Sequence, residues 1–312
     1  MLTYYKNQEL ELCKIEKIVP NCWINAVAPS SDEIKTLTDL NIPQDFITYP
    51  LDIDEHPRIE EEDDGTILIV VRVPVKFGDK ADFPYGTIPL GIVIADKYII
   101  TICRDKLEIL DNFAAGKVKK LSTTKRYRFT LHLMMAVATK FLEYVRGINK
   151  DIDTLETTLF DSMRNTELVK IFKYQKSFVY FAQALKQNEI MLVRLNHMNA
   201  FTKFEEDEDL LEDVITENTQ AIDMTDVSSS ILMNTMDAMA SVISNNQNMV
   251  MKLLASLTII MEIPNIVTGF LGMNVTWLEP IAKSPVVAPI VLVLLVGLTG
   301  LTIWIFNKKD WF

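Results

Sequence analysis

The chain has 312 residues, 49% of them hydrophobic, and a formal net charge of −11. From residue 249 onward Lys252, Lys283, Lys308 and Lys309 stand against Glu262, Glu279 and Asp310, so residues 1–248 carry −12. An acidic body of that size argues against nucleic acid or anionic lipid as the main partner and suits the attraction of cations. Met1 to Leu10 has no basic segment followed by an apolar core, so no cleaved secretory signal is expected. Cys13, Cys22 and Cys103 form no C-x-x-C pair, which disfavours a disulfide framework or a zinc site and fits a reducing compartment. His56, His132 and His197 are far apart, and neither a phosphate-binding G-x-x-x-x-G-K-[ST] loop nor G-x-S-x-G or H-E-x-x-H is present. An enzyme or an ATP-driven pump is therefore disfavoured.

Residues 1–122 mix short runs rich in Ile and Val, such as Ile67 to Val75 and Ile92 to Ile102, with a helix at Ser30 to Asp39 opened by capping residues. This is an α/β domain. Residues 123–248 contain one glycine, Gly147, and no proline, and their apolar residues recur at helical spacing, as in Leu131, Met134, Val137, Phe141 and Val145. Long helices are predicted, with a break at Phe204 to Asp213, where seven carboxylates fall in nine residues. That run reads either as a solvated hairpin tip or as a cation-attracting collar of carboxylate oxygens, and both readings stay open at this point.

Residues 249–312 hold two long apolar runs. Met249 to Phe270 contains only Lys252 and Glu262 as charges, and Val286 to Phe306 contains none. Each is long enough at 1.5 Å per residue to cross a hydrocarbon core of ~30 Å. The chain is thus expected to be a two-pass membrane protein in contact with lipid. The Gly272 to Ser284 linker is too short to hold a domain, so both termini lie on one side. Lys308 and Lys309 assign that side to the cytoplasm, with Lys283 counting the other way, which predicts a cell-membrane protein with both termini inside.

In the first span, Asp237, Ser241, Ser244, Asn248, Met251, Ala255, Thr258, Glu262, Asn265 and Gly269 fall on one stripe when the chain is stepped by threes and fours. A 3.5-residue repeat keeps one seam facing an axis when parallel helices assemble. Small and polar residues also help membrane helices pack. Glu262 weighs against packing alone, because a carboxylate facing lipid costs roughly 2.5 to 3.5 kcal/mol on insertion scales. The stripe reads as a pore lining. Two helices cannot enclose a channel, so several chains must each supply this helix. Met251 and Leu254 form an apolar constriction able to stop ions by dewetting. Pro264 withholds the amide hydrogen that the Ile260 carbonyl would accept, and Gly269 and Gly272 allow close approach and a tight exit.

The tripeptide Gly272-Met273-Asn274 at the end of the first of two C-terminal spans, with the end Asn307-Lys308-Lys309-Asp310-Trp311-Phe312, closely resembles the CorA family of divalent-cation channels. Leu51-Asp52, Pro57-Arg58-Ile59-Glu60, Ser177 to Asn188 and Asn248-x-x-Met251-Lys252 support it. The resemblance implies an α+β membrane protein assembled as a homopentameric funnel, with a cytoplasmic α/β domain, long stalk helices and two transmembrane helices per chain. It implies Mg²⁺ as both transported and regulatory ion, with Co²⁺ and Ni²⁺ accepted and no organic cofactor. Carried over, Gly272, Met273 and Asn274 form the selectivity filter, Asn248 the membrane-entry ring and Asp237 the lower pore carboxylate. Asp213 matches a regulatory carboxylate, for which Asp79 and Asp82 are candidate counterparts.

Mg²⁺ sheds its inner water reluctantly. A ring of Asn274 amide oxygens would therefore grip the hydrated ion rather than strip it. Entry would be driven by the membrane potential, about 2.3 kcal/mol per charge per 100 mV. Glu262 departs from the family's usual apolar residue, and five such carboxylates could not all be ionised without a bound cation. The linker also departs, with Glu279 its only acid. Two alternatives remain: a proton-coupled zinc transporter of the ZntB type, and a membrane-anchored sensor that conducts nothing.

Overall fold

The computed structural model describes residues 1–8, 11–78, 80–118, 121–162, 165–273, 285–309 and 311, without the side chains of 156–162 and 165. The chain divides into two compact units, Met1–Met233 and Asn234–Phe312.

The first unit is built on a seven-stranded sheet. Its strands are β1 (Leu2–Gln8), β2 (Glu11–Ile15), β3 (Cys22–Val27), β4 (Arg58–Glu61), β5 (Ile67–Lys76), β6 (Tyr85–Ile94) and β7 (Tyr98–Cys103), in the order β2-β1-β3-β7-β6-β5-β4. Only β3 and β7 pair in parallel, with Cys22 opposite Tyr98 and Val27 opposite Cys103. All ten residues of β6 are buried, as expected of a strand covered on both faces. The predicted strand at Ile67 to Val75 is β5. The run Ile92 to Ile102 contains the end of β6, a turn and most of β7, and the charged pair Asp96-Lys97 inside it sits at the turn between the two buried strands.

Alternation along β3 and β7 sorts the two faces. Ile24, Ile100 and Ile102 meet α1 (Ser31–Thr38) and α2 (Gln44–Thr48) in a core that includes Leu37, Phe46 and Ile47. The capping box expected from sequence is formed: Ser30 Oγ accepts from the Glu33 amide at 3.4 Å, and Glu33 Oε2 accepts from the Ser30 amide at 2.9 Å. A short 3-10 turn, Tyr49–Leu51, lies so close to β6 that a Cβ at Gly91 would meet Pro50 Cγ at 2.2 Å. On the opposite face Trp23 packs with Phe129, and Phe129 with Phe113, at ring centroid distances of 5.3 and 5.5 Å. Trp23 Nε1 donates to Thr101 Oγ1 at 2.9 Å, which donates to Asn25 Oδ1 at 3.0 Å, so the polar atoms of this buried layer satisfy one another.

Phe113 belongs to α3 (Glu108–Ala114) and Phe129 to α4 (Arg126–Ser162). The apolar repeat read from sequence is the inner face of α4: Leu131, Met134, Val137, Phe141 and Val145 are all buried. The chain continues into α5 (Asn165–Asn196), α6 (Asn199–Thr202) and α7 (Glu205–Leu271). Asn149 of α4 donates to Ser228 of α7 at 2.8 Å, and Lys186 of α5 pairs with Asp226 of α7 at 3.0 Å.

The predicted break at Phe204 to Asp213 is displaced. The connection ends at Phe204, and the acidic run forms the opening turns of α7 rather than a hairpin tip. Carboxylates suit that position because the amides of a helix N-terminus carry partial positive charge. The run is also not uniformly solvated, since Asp207 is buried. Arg128 of α4 holds Asp207 through Nε and Glu206 through Nη1, the latter at 2.6 Å.

The second unit contains α7 from Asn234 onward and α8 (Val287–Lys308). Both helices are long and apolar enough to cross a membrane, and no residue of α8 is buried. The apolar helix of a water-soluble core would be covered on most sides, and these are not. At the end of α8, Lys308 Nζ lies 5.3 Å from the Trp304 ring and Phe306 stacks on Trp311 at 5.1 Å. Aromatic and lysine side chains at a helix end suit a membrane interface.

Candidate functional site

The ten positions of the predicted stripe all lie on α7, within the second unit, and all are exposed: Asp237, Ser241, Ser244, Asn248, Met251, Ala255, Thr258, Glu262, Asn265 and Gly269. The covered residues of the same span are Ser256, which is buried, and Ile260, Ile263, Pro264, Val267 and Leu271, which are half-buried. At 3.6 residues per turn the covered face and the stripe lie on roughly opposite sides of the helix. On α8 the half-buried residues Val287, Val291, Leu295, Thr299, Thr302 and Phe306 also recur by threes and fours. Each span thus has one face turned inward, and the polar stripe of α7 is not part of it.

The hydroxyl groups on the stripe have a defined polarity. Ser241 Oγ donates to the Asp237 carbonyl at 3.0 Å, and Thr258 Oγ1 to the Leu254 carbonyl at 2.8 Å. With the proton used inside the helix, each oxygen turns lone pairs outward. Asp237 and Glu262 carry carboxylates, and Asn248 and Asn265 carry amide oxygens. The surface is therefore rich in acceptors, which matches a hydrated cation whose water shell presents hydrogens. Ser256, an exception to the stripe, donates to the Leu253 carbonyl at 2.8 Å on the covered face, where a polar side chain serves packing.

The proposed constriction residues Met251 and Leu254 are exposed at 63% and 58%. Beyond α7 the Gly272 amide donates to the Thr268 carbonyl at 2.8 Å and the Met273 amide to the Phe270 carbonyl at 3.3 Å, closing the helix in a tight turn. A Cβ at Gly272 would meet the Thr268 carbonyl oxygen at 3.2 Å, so a side chain there would press on that turn. Asn274 and the linker acid Glu279 lie outside the described residues.

Asp213 is exposed on α7, in the first unit. Asp82 is exposed in the connection between β5 and β6, and Asp79 lies outside the described residues. Among the described residues of one chain, no three His, Cys, Asp or Glu side chains gather as metal ligands. Of the acidic run, Glu206 and Asp207 already face Arg128, which leaves Glu205, Glu208, Asp209, Glu212 and Asp213 exposed. The paired carboxylates hold the Arg128 guanidinium above its ordinary pKa, the Asp207 hydrogen bond contributing most. Burial, with the nearby Arg128 charge, lowers that of His132.

Two residues with a clear structural task were not singled out from their chemistry. Asn188 of α5 donates to the Arg72 carbonyl at 2.9 Å and accepts from the Arg72 amide at 3.0 Å. Ser177, three turns earlier, accepts from the Tyr85 amide at 3.2 Å. Both are buried. A polar pair on the apolar side of a predicted helix was the available signal, because such groups need partners. The Arg58 of Pro57-Arg58-Ile59-Glu60 also acts locally, pairing with Glu55 and Glu60 at 3.2 and 3.0 Å and lying 4.4 Å from the Tyr49 ring.

The family model described as CorA-like Mg²⁺ transporter protein matches residues 20–309. The chain belongs to the CorA family. It is 28% identical over 299 residues to the cobalt/magnesium transport protein CorA of Methanocaldococcus jannaschii, covering 93% of this chain and 90% of that protein. The complete structure of the CorA magnesium transporter from Methanocaldococcus jannaschii superposes with a TM-score of 0.85 at 25% identity, covering 100% of this chain and 99% of that one. The ZntB cytoplasmic domain from Vibrio parahaemolyticus gives a TM-score of 0.58 at 13% identity, over 78% of this chain and 98% of that domain. That last likeness shows the fold alone, and the balance favours CorA over the ZntB alternative. CorA is a family of membrane transporters rather than of enzymes, and the two exposed apolar helices fit it.

Proposed function

We propose that this CorA-family chain is a divalent-cation channel that admits Mg²⁺, with Co²⁺ and Ni²⁺ as further cargo, through the cytoplasmic membrane of the cell. The observation that carries the reading is the acceptor-rich stripe from Asp237 to Gly269, exposed along its whole length on the side of α7 away from the covered face. Five copies around an axis would turn these stripes toward one another and leave the apolar remainder to α8 and lipid. Asn274 and Gly272 then grip the hydrated ion at the mouth, Met251 and Leu254 form the hydrophobic gate, and Asn248 and Asp237 lie at the exit. Both termini are on the cytoplasmic side. The likeness to the cobalt/magnesium transport protein of Methanocaldococcus jannaschii supports Mg²⁺ and cobalt as cargo.

Regulation follows from charge. Residues 1–248 carry −12 per chain, so adjacent bodies repel. Intracellular Mg²⁺ bound between them, with Asp213 among its ligands, holds the pathway closed, and its loss allows opening.

The test is uptake of Mg²⁺ and Zn²⁺ into liposomes holding the purified protein, with and without a pH gradient, beside Asn274→Ala. The expected result is Mg²⁺ uptake that ignores the pH gradient and is abolished by the substitution. Zn²⁺ uptake that follows the proton gradient would sink the channel reading in favour of coupled transport. No flux of either ion would leave a sensor.

A further inference from the structure

We propose that Glu262 sets the charge selectivity of the pathway, an assignment that rests on the channel function proposed above. Among the described residues of the two spans between Lys252 and Lys308, Glu262 is the only charged side chain. It is exposed, on the side of α7 away from Ser256, Ile260 and Val267, and one helical turn from Thr258 on one side and Asn265 on the other.

A carboxylate at this depth needs a counter-charge or water. Among the described residues Glu262 has neither a hydrogen-bond nor an ion-pair partner in its own chain. Lys252 is ten residues earlier, nearly three turns away, and α8 has no basic residue before Lys308. Neither span therefore supplies a fixed cation to neutralise it. The remaining counter-charge is a mobile cation in the aqueous path that the stripe faces. Thr258 favours the same species, because its proton is held by the Leu254 carbonyl and its oxygen presents only lone pairs.

Several copies bring several Glu262 carboxylates to one level, where they repel one another. A divalent ion relieves that repulsion twice as well as a monovalent ion of similar size, and an anion worsens it. The carboxylate level thus ranks divalent cations above monovalent cations and excludes anions. A ring of neutral Asn274 amides discriminates charge only through its dipoles, more weakly than a ring of carboxylates does. In this chain the filter selects a hydration shell and Glu262 selects a charge.

The experiment reads the zero-current potential of full-length protein in phosphatidylcholine and phosphatidylethanolamine vesicles under opposed Mg²⁺ and Na⁺ gradients. Glu262→Gln keeps the shape and removes the charge, and the Mg²⁺ to Na⁺ permeability ratio should fall by roughly tenfold or more. An unchanged ratio in a conducting Gln variant would overturn the assignment. A second variant, Thr258→Glu with Glu262→Thr, preserves the composition of the helix and moves the charge one turn along the same face. Its ratio should stay near that of the parent, and a ratio as low as that of the Gln variant would also overturn the assignment. A parent protein that passes neither ion would refute the channel reading itself, whereas a conducting parent with an insensitive ratio refutes only the role of Glu262.

Discussion

Glu33 shows how one side chain can join three segments. Its carboxylate accepts from the Leu2 amide at 2.8 Å and the Ser30 amide at 2.9 Å, and it pairs with the Met1 amine at 2.8 Å. The hydrogen bond with that amine, reinforced by the Ser30 amide, lowers its pKa from 4.5 to about 2. Because the folded pKa is depressed, the stability this group contributes is complete above the unfolded value and is lost as pH falls from about 4.5 through about 2. Glu33→Gln should accelerate hydrogen exchange in α1 at pH 6 by the equivalent of about 1 kcal/mol, the usual worth of a cap. Near pH 2 the two proteins should exchange alike. A difference that persisted undiminished at pH 2 would show that the charge is not the cause.

At the scale of elements, α5 is fastened to the sheet by backbone rather than by side-chain complementarity alone. Val70 is the last β5 residue paired with β4, and two residues further the side-chain amide of Asn188 takes both backbone groups of Arg72 in place of a strand neighbour. The Arg72 guanidinium in turn donates to the carbonyls of Ile53, Glu55 and Thr87 at 2.8, 3.0 and 2.8 Å, tying the segment before β4 to β6. Asn188→Ala would leave two main-chain groups unsatisfied, a cost of about 1–3 kcal/mol each where they stay buried. Hydrogen exchange around Arg72 should rise while α1 is unaffected. Protection unchanged at Arg72 would mean that water replaces the amide without loss.

At the scale of the whole molecule, the proposed regulation makes a claim about the acidic body. On that proposal the exposed carboxylates at Glu205, Glu208, Asp209, Glu212 and Asp213 would repel across copies and be bridged by divalent ions. Millimolar Mg²⁺ should therefore slow proteolysis of the acidic body in the intact protein, and the protection should weaken in Asp213→Ala. Proteolysis indifferent to Mg²⁺ across the millimolar range would remove the basis for closure by bridging. A single chain could not form the proposed pathway, because the stripe of α7 is uncovered and one helix cannot surround an ion.

Local chemistry made much of this protein legible before its fold was known. The capping box at Ser30, the buried face of α4 and the two spans follow from short-range rules of hydrogen bonding, period and length, which act within a few residues. The polar stripe was legible for the same reason, since a single helix determines which residues share a side. The turn inside Ile92 to Ile102 was not, although Asp96 and Lys97 mark it, because strands buried on both faces lose the alternation that would show where each one ends. Nor was the start of α7: a run of carboxylates reads as solvated until Arg128, nearly 80 residues away in sequence, arrives to pair with Asp207. What the sequence determined by itself was the set of elements and the chemistry each carries along its length. What only the tertiary structure decided was which polar groups meet across distant elements, as Asn188 meets Arg72, and which face of the first span is covered and which is left open, because those depend on contacts that no local pattern encodes.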